Sequence, residues 1–129
     1  MKLLAVTVLT NLDATDLAQQ GINSTPANLV LNRARNAAEA GFDGVIASGA
    51  EAAAVRAVVP PGFLIVTPGI RPAGVAAGDQ ARVTTPGDAI RDGASHLVAG
   101  RPVTGAADPR AAADAIIAEI AAALTSPGA

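Results

Sequence analysis

The 129-residue chain contains no cysteine, no tryptophan and no tyrosine, and only one lysine and one histidine. Without cysteine it can form no disulfide framework, thiol nucleophile or cysteine metal site. A lone histidine, His96, rules out a histidine-based metal cluster. Phe42 and Phe63 are the only aromatic residues, so the chain lacks the stacking platforms that single-stranded nucleic-acid binders use. A net charge of −2 and a pI near 5.1 also argue against a phosphate-backbone binder. No apolar stretch approaches the roughly 18 residues needed to span a bilayer. The opening "MKLLAVTVL" has the lysine and apolar run of a signal peptide, but "TNLDATD" follows it instead of a small-residue cleavage site. It reads as a strand, and the chain is expected to be soluble and cytoplasmic, with no nucleic-acid or membrane partner.

Half the residues are hydrophobic, supplied by Val, Ile, Leu and Ala, at a length that suits one domain spanning 1–129. Four apolar runs recur: "LLAVTVL" (3–9), "DGVIAS" (43–48), "FLIVT" (63–67) and "HLVAG" (96–100). They are nearly continuous, as in parallel strands buried on both faces. Helical stretches separate them. "TPANLVLNRARNAAEAG" has Thr25 as N-cap, Pro26 at the helix start and Gly41 as its stop. "GAEAAAVRAVV" ends at Pro60-Pro61, "TPGDAIRDG" spans Thr85 to Gly93, and "DPRAAADAIIAEIAAAL" starts at Asp108-Pro109. In the last, Ala112, Ile116, Ile117, Ile120 and Leu124 fall at helical spacing. A short turn, "DATDLAQQG", follows the first strand. The order is βα four times over, a parallel α/β arrangement. Doubly wound folds usually have five or six strands and a TIM barrel has eight, so four units are half a (β/α)8 barrel.

In such arrays ligands bind beyond the carboxyl ends of the strands. Thr10-Asn11, Ser48-Gly49, Pro68 to Gln80 and Gly100-Arg101-Pro102 occupy those positions. The third stretch, from about Pro68 to Ala81, far exceeds the two to six residues that a plain reversal needs, and its prolines and glycines control the backbone closely. Arg71 within it and Arg101 after the fourth strand each offer a bidentate fork for phosphate or carboxylate, Gln80 an amide donor, and Gly100 a close backbone approach. Taken singly, either arginine is as readily a surface charge. Both loops on adjacent strands favour an anion site. The other polar residues read as structural. Lys2 precedes the first strand, at the end opposite the ligand face, and is expected to be solvated. Asp43 also stands at that end. Asp13, Asp88, Asp108, Glu51 and their like read as caps and helix surfaces, Asp79 orders its own loop, and Ala47 leaves the second loop without a catalytic group. His96 is expected to be structural.

"LLAVTVLTNLDATDL", "AGFDGVIASGAEA", "LIVTPGIRPAGVAAGDQARVTTPGDAI" and "DGASHLVAGRPVTGAADP" closely resemble the C-terminal half of bacterial orotidine 5′-phosphate decarboxylases, from that family's fifth strand to its last helix. The spacing of "TPGIRP" and "GDQ" with "GRPVT" carries the resemblance. It implies a TIM barrel that works as a homodimer without a cofactor. It also implies that Thr10 contacts the pyrimidine, that Arg71 and Gln80 are phosphate-loop ligands, and that Gly100 with Arg101 closes on the 5′-phosphate. The family's Asp/Lys constellation belongs to its first three strands and has no counterpart here. Decarboxylation without an electron sink needs a lysine ammonium to protonate the developing carbanion, held by carboxylates.

Three readings of function follow. The chain is a half-barrel that binds a uridine or orotidine 5′-monophosphate-like ligand and is inactive alone. Alternatively it is a structural half-barrel scaffold, natural or engineered, without ligand function. The third is a self-standing flavodoxin-like domain with helices on both faces. In the half-barrel arrangement, the edges of "LLAVTVL" and "HLVAG" and an inner face including Val6, Val8, Ile46 and Val66 are bare. They call for a complementary N-terminal half or a second copy of the chain.

Overall fold

The structure, a computed structural model, describes residues 1–72, 74 and 83–125. Strands form only at the centres of the four apolar runs: β1 (Leu4–Val6), β2 (Gly44–Ile46), β3 (Leu64–Thr67) and β4 (His96–Leu97). They are shorter than the runs because the flanking residues turn into rim loops. Between them lie α1 (Ala14–Gln19), α2 (Pro26–Glu39), α3 (Gly49–Arg56) and α4 (Pro86–Arg91), and α5 (Arg101–Thr104) and α6 (Pro109–Thr125) follow β4. The four-residue α5 is where the sequence predicts only a loop.

Helix starts follow the caps. The Asp13 carboxylate accepts from the Thr15 and Asp16 amides while Asp16 reaches back to the Asp13 amide, a capping box. Thr25 and Thr85 each accept an amide proton, at 3.2 Å, from the residue three positions on, ahead of a proline in the first turn. Asp108 accepts from the Ala111 amide at 3.0 Å.

The strands pair in parallel in the order β1-β2-β3-β4. Their register sets Ala5, Val45 and Ile65 side by side, and Val6, Ile46, Val66 and His96 one step further on. Successive side chains leave opposite faces. On the first face Val45 and Ile65 are fully buried beneath Val30, Ala34 and Ala37 of α2 and Ala52 and Val55 of α3. Leu97, on the same face, packs with Ala89 of α4. The other face has no such cover: Val6 is 56% exposed and Val98 49%. A doubly wound domain reverses its strand order to place helices on both sides. Here the order never reverses, which excludes the flavodoxin-like arrangement and makes the chain four βα units of a half-barrel. Val8, assigned above to the inner face, instead lies in the helix-covered core, because the chain turns away after Val6. Among the described residues no helix is long and apolar enough to cross a membrane.

Two polar ties hold the units at the amino ends of the strands. The Arg56 guanidinium donates to the Phe63 carbonyl at 2.8 Å and to the Gly93 carbonyl at 3.1 and 3.3 Å, joining α3 to the starts of β3 and β4. The Asp43 carboxylate accepts from the Leu3 amide at 2.7 Å and the Lys2 ammonium at 2.9 Å, so Lys2, though exposed, is paired. These contacts, the Leu3 amide foremost, hold the Asp43 carboxyl below its ordinary 3.8. The folded state thus favours the carboxylate. That stabilisation is present above pH 3.8 and disappears as pH falls through the lower folded value. Asp43→Asn should lower the thermal midpoint at neutral pH, with the gap to wild type closing below 3.8. Melts on both sides of that value check it, and a gap independent of pH would contradict it.

Candidate functional site

The carboxyl ends of the four strands form one polar rim. At β1 the backbone is clamped in place: the Thr7 amide and hydroxyl both donate to the Ile46 carbonyl, at 3.1 and 2.7 Å. The Thr7 carbonyl in turn accepts from the Arg33 guanidinium of α2. A turn closed by the Leu12 amide on the Leu9 carbonyl, at 3.1 Å, then carries Thr10, which is buried, and Asn11, which is exposed. Arg33 was not singled out from the sequence. Its position three residues after the buried Val30 is the available signal, since that spacing turns it along the sheet-facing side of the helix.

At β2 the rim is structural. Ser48 is buried and caps α3, its hydroxyl accepting from the Ala50 amide at 3.3 Å. Gly49 lies against Thr84: a Cβ on Gly49 would sit 2.8 Å from the Thr84 Cβ and nearer still to its methyl group. Glu51, in the first turn of the same helix, is buried and not part of a helix surface; Thr84, against Gly49, closes the loop that follows β3.

That loop leaves β3 through a closed neck. The Arg71 amide donates to the Thr84 carbonyl at 3.0 Å, the Thr84 amide donates to the Gly69 carbonyl at 3.4 Å, and Ile70 and Thr84 form a parallel bridge. Gly69 takes a φ of 75°, open to glycine with little strain. Ile70 is fully buried in the small cluster with Ala89 and Ala94, which anchors the neck from below. Arg71 therefore stands at the mouth of the loop, one of its five donors held by the Ile70 carbonyl at 2.9 Å. Gln80 and Asp79 lie outside the described residues.

β4 is adjacent to β3, with Thr67 opposite Leu97. Arg71 and Arg101 each stand four residues beyond these register partners, so both arginines belong to the same sector of the rim. Gly100 precedes α5 with nothing within 4 Å of where its Cβ would be, which leaves its backbone open to approach. Arg101 is the first residue of α5 and is exposed. Thr10 stands on the far strand. At about 4.8 Å per strand, β1 is roughly 10 Å from β3 and about 14 Å from β4.

The rest of the polar inventory is elsewhere. Lys2 and Asp43 occupy the opposite end of the sheet. His96 is exposed on the uncovered face, its Nδ1 3.3 Å from the Ser95 hydroxyl. A groove of about 310 Å³ lined by Arg35, Ala38, Glu39, Val58 and Pro60 also opens at the amino ends of the strands, away from the rim. The rim thus carries two arginines and, at Gly100, exposed backbone. It supplies no lysine and no histidine for proton transfer.

Such a half-barrel, with an arginine on each of its last two strand-to-helix connections, falls in the class of βα-barrel proteins. Residues 1–116 match the family described as Orotidine 5′-phosphate decarboxylase / HUMPS, and the chain belongs to that family. The orotidine 5′-phosphate decarboxylase of Methylobacterium radiotolerans is 60% identical over 121 residues, covering 94% of this chain and 53% of the relative. That of Rhodopseudomonas palustris is 58% identical over 125 residues, covering 97% and 53%. Among solved structures, the orotidine 5′-phosphate decarboxylase of Lactobacillus acidophilus superposes with a TM-score of 0.76 at 42% identity, covering 92% of this chain and 49% of that one. The enzyme of Pyrococcus horikoshii gives 0.66 at 28%, covering 93% and 51%. The chain spans about half the length of the curated relatives it matches.

The seat of the loop neck on α3 is open to test. Gly49→Ala should destabilise the fold by about 1–3 kcal/mol through overpacking against Thr84. Thr84→Ser, which removes the methyl group, should recover part of that loss in the double variant, and a urea denaturation cycle measures it. Additive effects would mean that the two residues do not press on each other.

Proposed function

We propose that this chain is the C-terminal, phosphate-gripping half of an orotidine 5′-phosphate decarboxylase, binding a uridine or orotidine 5′-monophosphate-like ligand and inactive in decarboxylation on its own. The observation that carries this reading is the placement of Arg71 and Arg101 at equal distances beyond paired residues of adjacent strands. Two guanidinium forks so placed suit a phosphate dianion, which accepts bidentate, charge-assisted hydrogen bonds. The open backbone at Gly100 allows the anion close. Gln80 joins them by its place in the loop motif. Thr10, across the rim, is set for the pyrimidine: roughly 10–14 Å separates it from the arginine strands, a span that a nucleotide bridges and a lone phosphate does not.

In this reading the half-barrel supplies binding and orientation. The proton donor must come from elsewhere, because the only lysine lies at the opposite end of the sheet, engaged with Asp43. A developing carbanion at the rim would find no ammonium group to protonate it. A soluble pyrimidine-nucleotide role of this kind belongs in the cytoplasm.

Calorimetry with uridine 5′-monophosphate tests the binding. Removing one charged partner costs on the order of 1.5–3 kcal/mol, so Arg101→Ala and Arg71→Ala should each weaken affinity by about ten- to a hundredfold. Equal affinity in wild type and Arg101→Ala would remove that arginine from the site. No binding by the wild type would leave a half-barrel scaffold without ligand function. In a second measurement, the absorbance of orotidine 5′-monophosphate should stay constant with purified protein. Turnover that tracks this chain through purification would overturn the assignment of inactivity.

A further inference from the structure

The neck below Arg71 rests on α3 where Gly49 meets Thr84. A Cβ on Gly49 would lie 2.8 Å from the Thr84 Cβ and 3.2 Å from its hydroxyl, and it would overlap the methyl group. A methyl group swings aside by rotation about χ1, whereas a Cβ moves only with its own backbone. The Thr84 backbone is also what carries the neck. Its carbonyl accepts from the Arg71 amide at 3.0 Å, and its amide donates to the Gly69 carbonyl at 3.4 Å. Ile70, between those two residues, bridges to Thr84 and is fully buried.

Both partners of this contact are anchored. Gly49 is buried as the first residue of α3, behind Ser48, whose hydroxyl accepts from the Ala50 amide at 3.3 Å. Ala52 and Val55 of the same helix are fully buried in the core. On the other side, Thr85 follows Thr84 directly and caps α4, accepting from the Asp88 amide at 3.2 Å. Neither helix is free to absorb a side chain at position 49. The displacement would pass along the neck to Arg71, whose guanidinium is bonded to the Ile70 carbonyl at 2.9 Å and so follows the backbone of the neck.

We propose that Gly49 and Thr84 are positioning residues for the anion, setting the place of the Arg71 guanidinium from the neighbouring β2–α3 unit without touching the ligand. The proposal rests on the reading of Arg71 as a phosphate ligand and adds what holds it in place. A bidentate arginine–phosphate pair consists of two parallel N–H···O bonds, so a small shift at its base loses one of them. Glycine at position 49 thereby serves the site as well as the packing: the space of its missing Cβ is where Thr84 sits.

Calorimetric titration of uridine 5′-monophosphate into wild type, Gly49→Ala, Arg71→Ala and the double variant tests the role. Gly49→Ala should weaken binding about three- to tenfold, less than the loss that Arg71→Ala brings. In the Arg71→Ala background the same change should have no effect, because the group it displaces is gone. A merely structural role gives the same loss in both backgrounds, and that result would overturn the proposal. Full affinity in a Gly49→Ala protein with the wild-type circular dichroism spectrum would remove the positioning role alone. Affinity unchanged by Arg71→Ala would remove the ligand reading and the positioning role together. Amide hydrogen exchange in the wild type needs neither ligand nor variant. The Arg71 and Thr84 amides should be protected, as is expected of the Ala47 amide bonded to the Val66 carbonyl. Exchange of both at the rate of an unprotected loop would overturn the seat of the neck.

Discussion

Parallel strands laid down in sequential order constrain everything else in this structure. A parallel connection is a right-handed crossover in nearly all proteins, so each helix lands on the same side as the one before unless the strand order reverses. With the order β1-β2-β3-β4 it never reverses. Val45 and Ile65 therefore receive the whole helical layer, and Ile46 and Val66, one residue away along the same strands, receive none of it. The one-sided core, the bare inner face and the collection of all strand ends along one rim are three consequences of one topological fact.

The rim illustrates how a fold divides labour between support and chemistry. Ser48 and Gly49 stand at a strand end, where ligand contacts are expected, yet both are taken up in packing. One caps α3, and the other is a glycine because Thr84 occupies the space of its side chain. That contact supports the neck from which Arg71 projects. The neck uses three short ties, two backbone hydrogen bonds and the burial of Ile70, to hold the base of a long loop at a defined distance from β4. At the far end, the Arg33–Thr7 contact performs the same service for the turn that holds Thr10.

Membership in a decarboxylase family and the lack of a rim lysine are compatible because a βα-barrel distributes its chemistry around a ring of strands. A chain spanning about half the length of its relatives carries part of that ring. Binding groups can be retained on one arc while proton-transfer groups belong to the other. The rim described above is consistent with such a division: arginines are present, and among the described residues an acid–base pair is not.

From its sequence alone, this protein's unit count, helix caps and rim candidates were legible, because they rest on local chemistry. Asp13, Thr25, Thr85 and Asp108 cap helices through bonds that span two or three residues, and continuous apolar runs mark buried parallel strands without reference to anything distant. Strand length, the burial of Glu51, the turning of Val8 into the core and the exposure of His96, Ile117 and Leu124 were not, since each depends on what packs against the residue from elsewhere in the chain. Sequence spacing proposed Arg71 and Arg101 as partners. Only the pairing of Thr67 with Leu97 brought the two loops to neighbouring places, because register between strands thirty residues apart is set by hydrogen bonding and side-chain layers that no local pattern encodes.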